Sequence, residues 1–496
     1  MSSDIAEIEE PKISGNYSAR TQHRWIPAKE AAEGEAATEA SGDGSMAGGS
    51  PQKDVDEIHH RISKFHVSPA QMYSTESGRM FHAGAICIVM VGLPARGKTN
   101  LSIGLCRYLR WLGVRANLFH FGDYRREQTK QVNSDLYNLK PADEDASGVR
   151  EKLREVVMGD MINFFKNEGG QVAIFDGVNG LSKERVSLAD QMKQQNVRTI
   201  FIESQIDDAK LLKSNINDAT SSPDYENWDQ KTAVEDYAKR IEEVSKFYEP
   251  MSEKTFTWIR TQNFGRTMLI NQLKHDFLTT KIIFYLINVK IKSGSVYFAR
   301  CSNNKLRFKS DPALDEKGHS YISKLYNALL SHFKEKGNKQ GFPQDLEVWT
   351  STRLRTIQAA EVFREAGLMV KPRPDMTQLN PGAAEGLSEE ELKQKYPTDY
   401  KQHQLDPYHH RYPRAESYHD LALKLEPLIL EAGRVNNDVL IIADETVIRV
   451  FYGYLMASSS TDISSMRFPQ NEIIEITYNA YANQAHRITI PGVLSD

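Results

Sequence analysis

The sequence predicts an α/β fold in which the strands of mostly parallel sheets alternate with helices. Continuous apolar runs at 85–91, 171–176 and 198–203 are typical of strands buried on both faces. After the first run, leucines recur at helical spacing across 101–112, and a glycine follows directly. This alternation predicts a mostly parallel sheet with helices on both faces.

A second α/β unit follows the polar segment 290–295. Its predicted strands are 296–300, 346–351 and 438–444, each rich in apolar residues. The sequence shows no internal repeat of fixed period.

The N-terminal part of the chain has a different composition. Residues 30–52 are mostly Ala, Gly, Glu and Ser, and such a segment buries too little apolar surface to offset its ordering entropy. We therefore expect a disordered tail at 1–82, whose role is either regulatory or none. The two α/β domains are expected at 83–292 and 293–496.

The composition excludes several classes of protein. Apolar residues make up 40% of the 496 residues, which is enough for sizeable cores, and the net charge of −4 argues against a nucleic-acid or membrane-surface protein. Three cysteines cannot build a disulfide framework, and no apolar run is long enough to span a membrane. A cytoplasmic protein with no nucleic-acid or membrane partner is expected.

A phosphate-binding loop follows the first predicted strand, because residues 92–99 match the pattern GxxxxGK[ST] in full. Its strand–loop–helix context favours a nucleotide site over a chance glycine-rich turn. Lys98 is expected to reach the β- and γ-phosphates of a nucleotide, and the Thr99 hydroxyl is expected to bind Mg²⁺. The predicted nucleotide-binding residues are Gly92, Leu93, Pro94, Ala95, Arg96, Gly97, Lys98 and Thr99.

Asp176 ends the second buried strand, at the edge of the sheet where the phosphate-binding loop is expected. Asp176 and Thr99 are candidate Mg²⁺ ligands, and Asp176 and Lys98 are candidate catalytic residues. In the catalytic role, the Asp176 carboxylate takes a proton from an attacking hydroxyl. The alternative is a strand-end aspartate that caps a turn.

Four arginines are candidates for binding a phosphorylated acceptor, because the guanidinium group suits a sugar phosphate. The alternative for each is a solvated surface charge. The candidates are Arg125, Arg126, Arg150 and Arg240.

The sequence resembles the bifunctional 6-phosphofructo-2-kinase/fructose-2,6-bisphosphatase family over about residues 60–490. The stretches that carry the resemblance, in family order, are 88–99, 122–126, 172–176, 222–225 and 411–418. The resemblance implies a P-loop kinase domain with a parallel sheet, followed by a histidine-phosphatase-like (phosphoglycerate-mutase-like) α/β domain. It implies transfer of the γ-phosphoryl group of ATP to the 2-hydroxyl of fructose 6-phosphate. By position, Lys98 and Thr99 match the residues that bind ATP and Mg²⁺, Asp176 matches the catalytic aspartate, and the four arginines match those that hold fructose 6-phosphate. Members of the family often form homodimers.

The kinase half departs from the family pattern at three places. A family lysine that contacts both nucleotide and sugar phosphate has no counterpart in 217–222, where only Lys210 or Lys213 from the preceding helix could substitute. A sugar-contacting threonine is replaced by Val178, and a family tyrosine by Val244. Each loss is expected to remove roughly 1–3 kcal/mol of polar binding.

The second half departs further, at each position where the family has a catalytic residue. Cys301 stands where the nucleophilic histidine is expected, Asp444 where the second histidine is, and Pro381 where the acid is. Without those histidines, a phosphohistidine mechanism is not expected. The arginines at 300, 307 and 355 remain. The C-x₅-R spacing from Cys301 lacks a glycine, which favours coincidence over a cysteine phosphatase.

Two functions follow from these observations. The first is a 6-phosphofructo-2-kinase that makes fructose 2,6-bisphosphate and has no bisphosphatase activity, with the second domain as a scaffold or anion sensor. The alternative is a nucleotide-binding pseudoenzyme with a regulatory or interaction role. A kinase for another small phosphorylated substrate is a third hypothesis.

Overall fold

Two six-stranded sheets, each with helices packed against it, make up the described part of the chain. The structure is a computed structural model that describes residues 84–128, 138–141, 144–220, 222–226, 228–272, 276–289, 294–301, 308, 311–338, 341–458, 460–478 and 483–494. The tail expected to be disordered, 1–82, lies outside these residues. The predicted pair of α/β domains is confirmed.

The first sheet contains the three strands predicted as buried apolar runs. Its strands are β1 (Ile86–Val91), β2 (Ala116–His120), β3 (Val172–Asp176), β4 (Arg198–Gln205), β5 (Thr257–Gln262) and β6 (Thr267–Asn271). Their order is β2-β3-β1-β4-β5-β6, and all neighbours pair in parallel except β5 and β6. Every residue of β1 is fully buried, as expected for a central strand with helices packed against the sheet.

Seven helices occur among the described residues of the first half. They are α1 (Lys98–Trp111), α2 (Phe121–Gln128), α3 (Glu144–Asn167), α4 (Ser182–Gln194), α5 (Ala209–Ala219), α6 (Gln230–Ser245) and α7 (Phe277–Asn288). The first helix begins directly after Gly97 and ends before Gly113, and both glycines have a positive φ. A short 3₁₀ helix, Pro223–Tyr225, precedes α6.

The second sheet again places predicted strands at its centre. Its strands are β7 (Val296–Arg300), β8 (Glu347–Thr350), β9 (Met369–Pro372), β10 (Val439–Ala443), β11 (Glu472–Thr477) and β12 (Gln484–Thr489). Their order is β12-β11-β7-β10-β8-β9, and β11 is antiparallel to both of its neighbours. The predicted strands at 346–351 and 438–444 are each one residue shorter at both ends.

The described helices of the second half are α8 (Glu316–Glu335), α9 (Leu354–Glu365), α10 (Glu389–Lys395), α11 (Pro397–Leu405), α12 (Tyr418–Arg434), α13 (Glu445–Leu455) and α14 (Ser460–Ile463). A capping box formed by Ser417 and Asp420 starts α12, and the Asp444 carboxylate caps α13. Within the described ranges, no helix is long and apolar enough to cross a membrane.

A buried carboxylate joins the two halves. Glu426, on α12, is 5% exposed and accepts hydrogen bonds from the Tyr108 hydroxyl of α1 and from Lys281 Nζ of α7. The lysine contacts both carboxylate oxygens at 2.7 Å. Because α1 starts at the phosphate-binding loop, this contact ties the helix behind that loop to the second half of the chain.

Replacing Glu426 by alanine is expected to destabilise the protein by about 3 kcal/mol, because it leaves the Lys281 charge and the Tyr108 hydroxyl without their buried acceptor. Glu389→Ala is the matched control, since Glu389 forms an exposed pair with Lys393 and its loss should barely change stability. Urea unfolding followed by circular dichroism measures both effects. Equal stabilities of the two variants would contradict a joining role for Glu426.

Candidate functional site

The phosphate-binding loop connects the end of β1 to the start of α1. Gly92 has a φ of 142°, and a Cβ at this position would lie 2.6 Å from the backbone oxygen of Ser204. Its N–H donates a hydrogen bond to the carbonyl of Val178 at 3.1 Å, which joins the loop to the segment after β3. Only glycine fits this combination of dihedral angle and close approach.

The carbonyl groups of residues 93–96 each accept a hydrogen bond from a side chain. The donors, in the order of their acceptors, are Lys98 Nζ at 2.7 Å, Arg96 Nη1 at 3.2 Å, Asn215 Nδ2 at 3.0 Å and Ser204 Oγ at 2.6 Å. Side chains from β4 and α5 therefore fix how the loop carbonyls point. With the carbonyl groups held by these side chains, the loop N–H groups and the start of α1 can bind an anion.

Lys98 is the first residue of α1 and carries a buried ammonium group. It is 8% exposed, and burial lowers its pKa to about 8, although the nearby charge of Asp176 opposes this shift. The cost of burying the ammonium group would be relieved by a bound phosphate. Thr99, the second residue of the helix, is half-buried beside it.

Asp176 lies at the same edge of the sheet as the loop. It is 1% exposed, and its Oδ2 lies 2.7 Å from Nδ1 of His120, the last residue of β2. The Asp176 charge also acts on Lys98, so the two predicted catalytic residues are brought together. His120 was not predicted, because one histidine at a strand end has no motif to mark it.

Three of the four predicted arginines surround Asp224, which lies in the 3₁₀ helix before α6. Arg125 pairs with the Asp224 carboxylate at 2.6 Å and Arg126 at 3.4 Å. Burial opposes the shift, but the charges of Arg125, Arg126 and then Arg240 hold the pKa of Asp224 below its ordinary value. The Arg240 guanidinium lies 5.4 Å from the ring centre of Tyr237. Asp224 is part of the 222–225 stretch, which could have marked it in the sequence.

The fourth arginine belongs to a separate group near the end of β3. Arg150 lies 5.6 Å from the ring centre of Phe121 and pairs with Glu184 at 3.2 Å. Arg154, which was not predicted, pairs with the same glutamate at 2.9 Å and contacts Asn179 Oδ1 at 3.4 Å. The two arginines are four residues apart on α3, a spacing that places them on one helix face and could have revealed Arg154.

The three departures in the kinase half occupy different environments. Val244 is fully buried in the core, and Val178 contributes its carbonyl to the loop contact with Gly92. Lys210 and Lys213 are exposed on α5, and the structure records no ion pair for either of these described residues. The replacements therefore supply no new polar group at those places.

In the second half, two of the positions where the family has catalytic residues follow neighbouring strands, because Cys301 follows β7 and Asp444 follows β10. The N–H of Cys301, which is 3% exposed, donates to the carbonyl of Ala443 at 2.8 Å, next to Asp444. The N–H of Leu379, two residues before Pro381, donates to the side chain of Thr446 at 3.1 Å. Arg307 lies outside the described residues.

Carboxylates neutralise the arginines near these positions. Asp444 pairs with Arg355 at 3.3 Å while it also accepts from the N–H of Thr446 as the cap of α13. Glu445 pairs with Arg449 at 2.9 Å and with Arg300 at 3.5 Å. A phosphate entering here would compete with two carboxylates for the same guanidinium groups.

Comparison with known proteins agrees with this two-part organisation. The model of the 6-phosphofructo-2-kinase family matches residues 73–293, and that of the histidine phosphatase superfamily (branch 1) matches residues 300–491. A putative 6-phosphofructo-2-kinase/fructose-2,6-bisphosphatase of Saccharomyces cerevisiae is 35% identical over 98% of this chain and 96% of its own length.

Two further relatives cover most of the chain. A fructose-2,6-bisphosphatase of Saccharomyces cerevisiae is 34% identical over 82% of this chain and 90% of its own length. The human 6-phosphofructo-2-kinase/fructose-2,6-bisphosphatase 3 is also 34% identical, over 81% of this chain and 76% of its own.

A Gly92→Ala substitution is expected to destabilise the protein by about 1–3 kcal/mol, because the new Cβ meets the backbone of β4 at a disfavoured φ. Gly148→Ala is the matched control, since Gly148 lies in α3 with no atom within 4 Å of an added Cβ. That control should be neutral or slightly stabilising. Chemical unfolding measures both variants, and an unchanged Gly92→Ala protein would contradict the tight loop geometry.

Proposed function

Because this chain belongs to the 6-phosphofructo-2-kinase/fructose-2,6-bisphosphatase family, we propose that it transfers the γ-phosphoryl group of ATP to the 2-hydroxyl of fructose 6-phosphate. The observation that supports the proposal most is the meeting of the phosphate-binding loop, Lys98 and Asp176 at one edge of the first sheet. The product of this reaction is fructose 2,6-bisphosphate.

The residues present fit MgATP. Lys98 holds a buried positive charge whose recorded hydrogen bond goes to the loop carbonyl of Leu93, and phosphate oxygens would replace that acceptor. Thr99 and Asp176 supply the hydroxyl and carboxylate oxygens that Mg²⁺ prefers. When bound, Mg²⁺ neutralises charge on the transferring phosphoryl group.

The two arginine groups are suited to the sugar phosphate. Arg125 is 5% exposed and committed to Asp224, so we assign it to holding that carboxylate in place. We assign Arg126, Arg240 and Arg150 to binding the phosphate of the sugar. Asp176 accepts the proton of the sugar hydroxyl or orients the metal, and transfer depends mainly on positioning and charge neutralisation.

The kinase proposal is tested with the purified full chain, MgATP and fructose 6-phosphate, by measuring acid-labile fructose 2,6-bisphosphate. Lys98→Met is expected to lower kcat/KM by about 100-fold or more, because it removes the charge that meets the transferring phosphoryl group. Lys193→Met, at an exposed position near the end of α4, is the matched control and should retain full activity. Loss of activity in both variants, or in neither, would contradict the assignment.

A nucleotide-binding pseudoenzyme is the second candidate function. It is favoured by the apolar side chains at two positions where the family has polar ones: Val244 is fully buried, and the recorded hydrogen bond of Val178 is made by its backbone carbonyl. The same assay separates the two functions. Binding of MgATP, measured by calorimetry, without any fructose 2,6-bisphosphate would identify the pseudoenzyme.

We also propose that the second domain has no bisphosphatase activity. Cys301, Pro381 and Asp444 provide no histidine for attack on phosphorus, and Asp444 is occupied as the α13 cap and as the partner of Arg355. The domain instead supports α1 through Glu426, which fits a scaffold role.

Fructose 2,6-bisphosphate incubated with the full chain in the absence of ATP is therefore expected to stay intact, because no nucleophilic histidine is present. Release of inorganic phosphate measures this directly. A phosphatase activity that disappears in Cys301→Ser would reveal a cysteine nucleophile and overturn the proposal.

We place the domain boundaries at 83–292 and 293–496, which the residues matched by the two family models support. We place the protein in the cytoplasm, which fractionation of cells would test. Homodimer formation is expected from the family, and sedimentation velocity on the full chain would show about twice the 56.3 kDa chain mass.

A further inference from the structure

The pairing of β2 with β3 places two chemically active residues side by side. The strands are parallel, and His120 is directly opposite Asp176 in their register. Since residues opposite one another on neighbouring strands project to the same side of a sheet, both side chains reach the edge that carries the phosphate-binding loop. Their Nδ1 and Oδ2 atoms are 2.7 Å apart, a short hydrogen bond.

Two contacts restrain the imidazole ring of His120, one with Asp176 and one with Gly122. Nδ1 is held by the Asp176 carboxylate, while Nε2 lies close above Gly122, where an added Cβ would be only 2.6 Å from it. The glycine at the start of α2 therefore leaves the space that the ring fills. The His120 side chain is 17% exposed, whereas the Asp176 side chain is 1% exposed.

The direction of the hydrogen bond follows from the charges. A buried carboxylate needs hydrogen-bond donors. The imidazole therefore carries a hydrogen on Nδ1, and this N–H group donates a hydrogen bond to Oδ2 of Asp176. The terminal torsion of an aspartate has a broad, roughly two-fold energy profile and is weakly restrained by itself. A donor held on a neighbouring strand restrains that torsion.

We propose that His120 is a positioning residue for the kinase reaction, which fixes the Asp176 carboxylate in the orientation it needs toward the sugar hydroxyl and the metal. This inference rests on the proposed kinase function. In this role His120 acts through the Asp176 carboxylate. Because a misplacement of about 1 Å in a catalytic group costs about 100-fold in rate, loss of this hydrogen bond should lower kcat rather than substrate affinity.

The chain offers a conservative replacement and a disruptive one. In His120→Asn, the amide nitrogen is attached to the carbon that follows Cβ, as Nδ1 is in histidine, so the N–H donor to Asp176 is retained. His120→Leu has a similar apolar bulk but no donor. Both variants are made in the full chain, alone and combined with Asp176→Asn.

The measurements are kcat and KM for fructose 6-phosphate, the Kd for MgATP by calorimetry, and stability toward urea. His120→Leu should lower kcat by about 30–100-fold, with KM and Kd within about threefold of the wild-type values. His120→Asn should recover kcat to within about fivefold. In the Asp176→Asn background, His120→Leu should have no further effect on kcat, because the two residues act as a unit.

Three results would overturn the inference while leaving the kinase function intact: an unchanged kcat in His120→Leu, a loss confined to KM or to MgATP affinity, or a His120→Asn variant as slow as His120→Leu. An additive effect in the Asp176→Asn background would do the same. A wild-type chain that binds MgATP but makes no product would overturn the proposed function and this inference with it.

Discussion

The parallel pairing of β1 with β3 on one side and β4 on the other is the constraint on which the rest of the first domain depends. The register places Val89 opposite Phe175 and Phe201, so β1 and β3 end within one residue of each other while β4 continues alongside the loop. The loop after β1 is then bonded to both neighbours, through the carbonyl of Val178 and the hydroxyl of Ser204. Lys98 and Asp176 meet because the three strands pair in this register.

The carboxylates that follow β10 in the second sheet form contacts within the protein. Asp444 caps a helix and pairs with Arg355, and Glu445 pairs with two further arginines. Helix α1 also contacts this half directly, with Arg107 Nη1 donating to the carbonyl of Leu455 at 3.3 Å. We propose that these contacts explain why the second domain keeps its fold although it lacks a histidine nucleophile. Loss of the second domain would expose α1, the helix that follows the phosphate-binding loop.

Much of the fold could be predicted from the sequence, because the central strands are continuous apolar runs and the phosphate-binding loop is a local pattern. The edge strands β6, β9 and β12 were not predicted, and neither were their neighbours β5 and β11. In β6, for example, Ile270 is 40% exposed, and the strand shows neither a buried run nor strict alternation. Edge strands pair on one side only, so their sequences are less constrained.

Prediction of the site stopped where contacts between distant segments begin. His120 is 56 residues from Asp176, and Glu426 is 318 residues from Tyr108. Neither pair has a spacing that a sequence pattern could detect, since the sheet register and the packing of the two halves bring them together. The grouping of three arginines around Asp224 is of the same kind.

The most direct test of the account is the time course of fructose 2,6-bisphosphate made by the full chain from fructose 6-phosphate and a limiting amount of MgATP. One working kinase site and no phosphatase site predict that the product rises until the ATP is consumed and then stays constant. A product that never forms would contradict the kinase assignment. A product that declines once the ATP is gone would contradict the loss of phosphatase chemistry in the second domain.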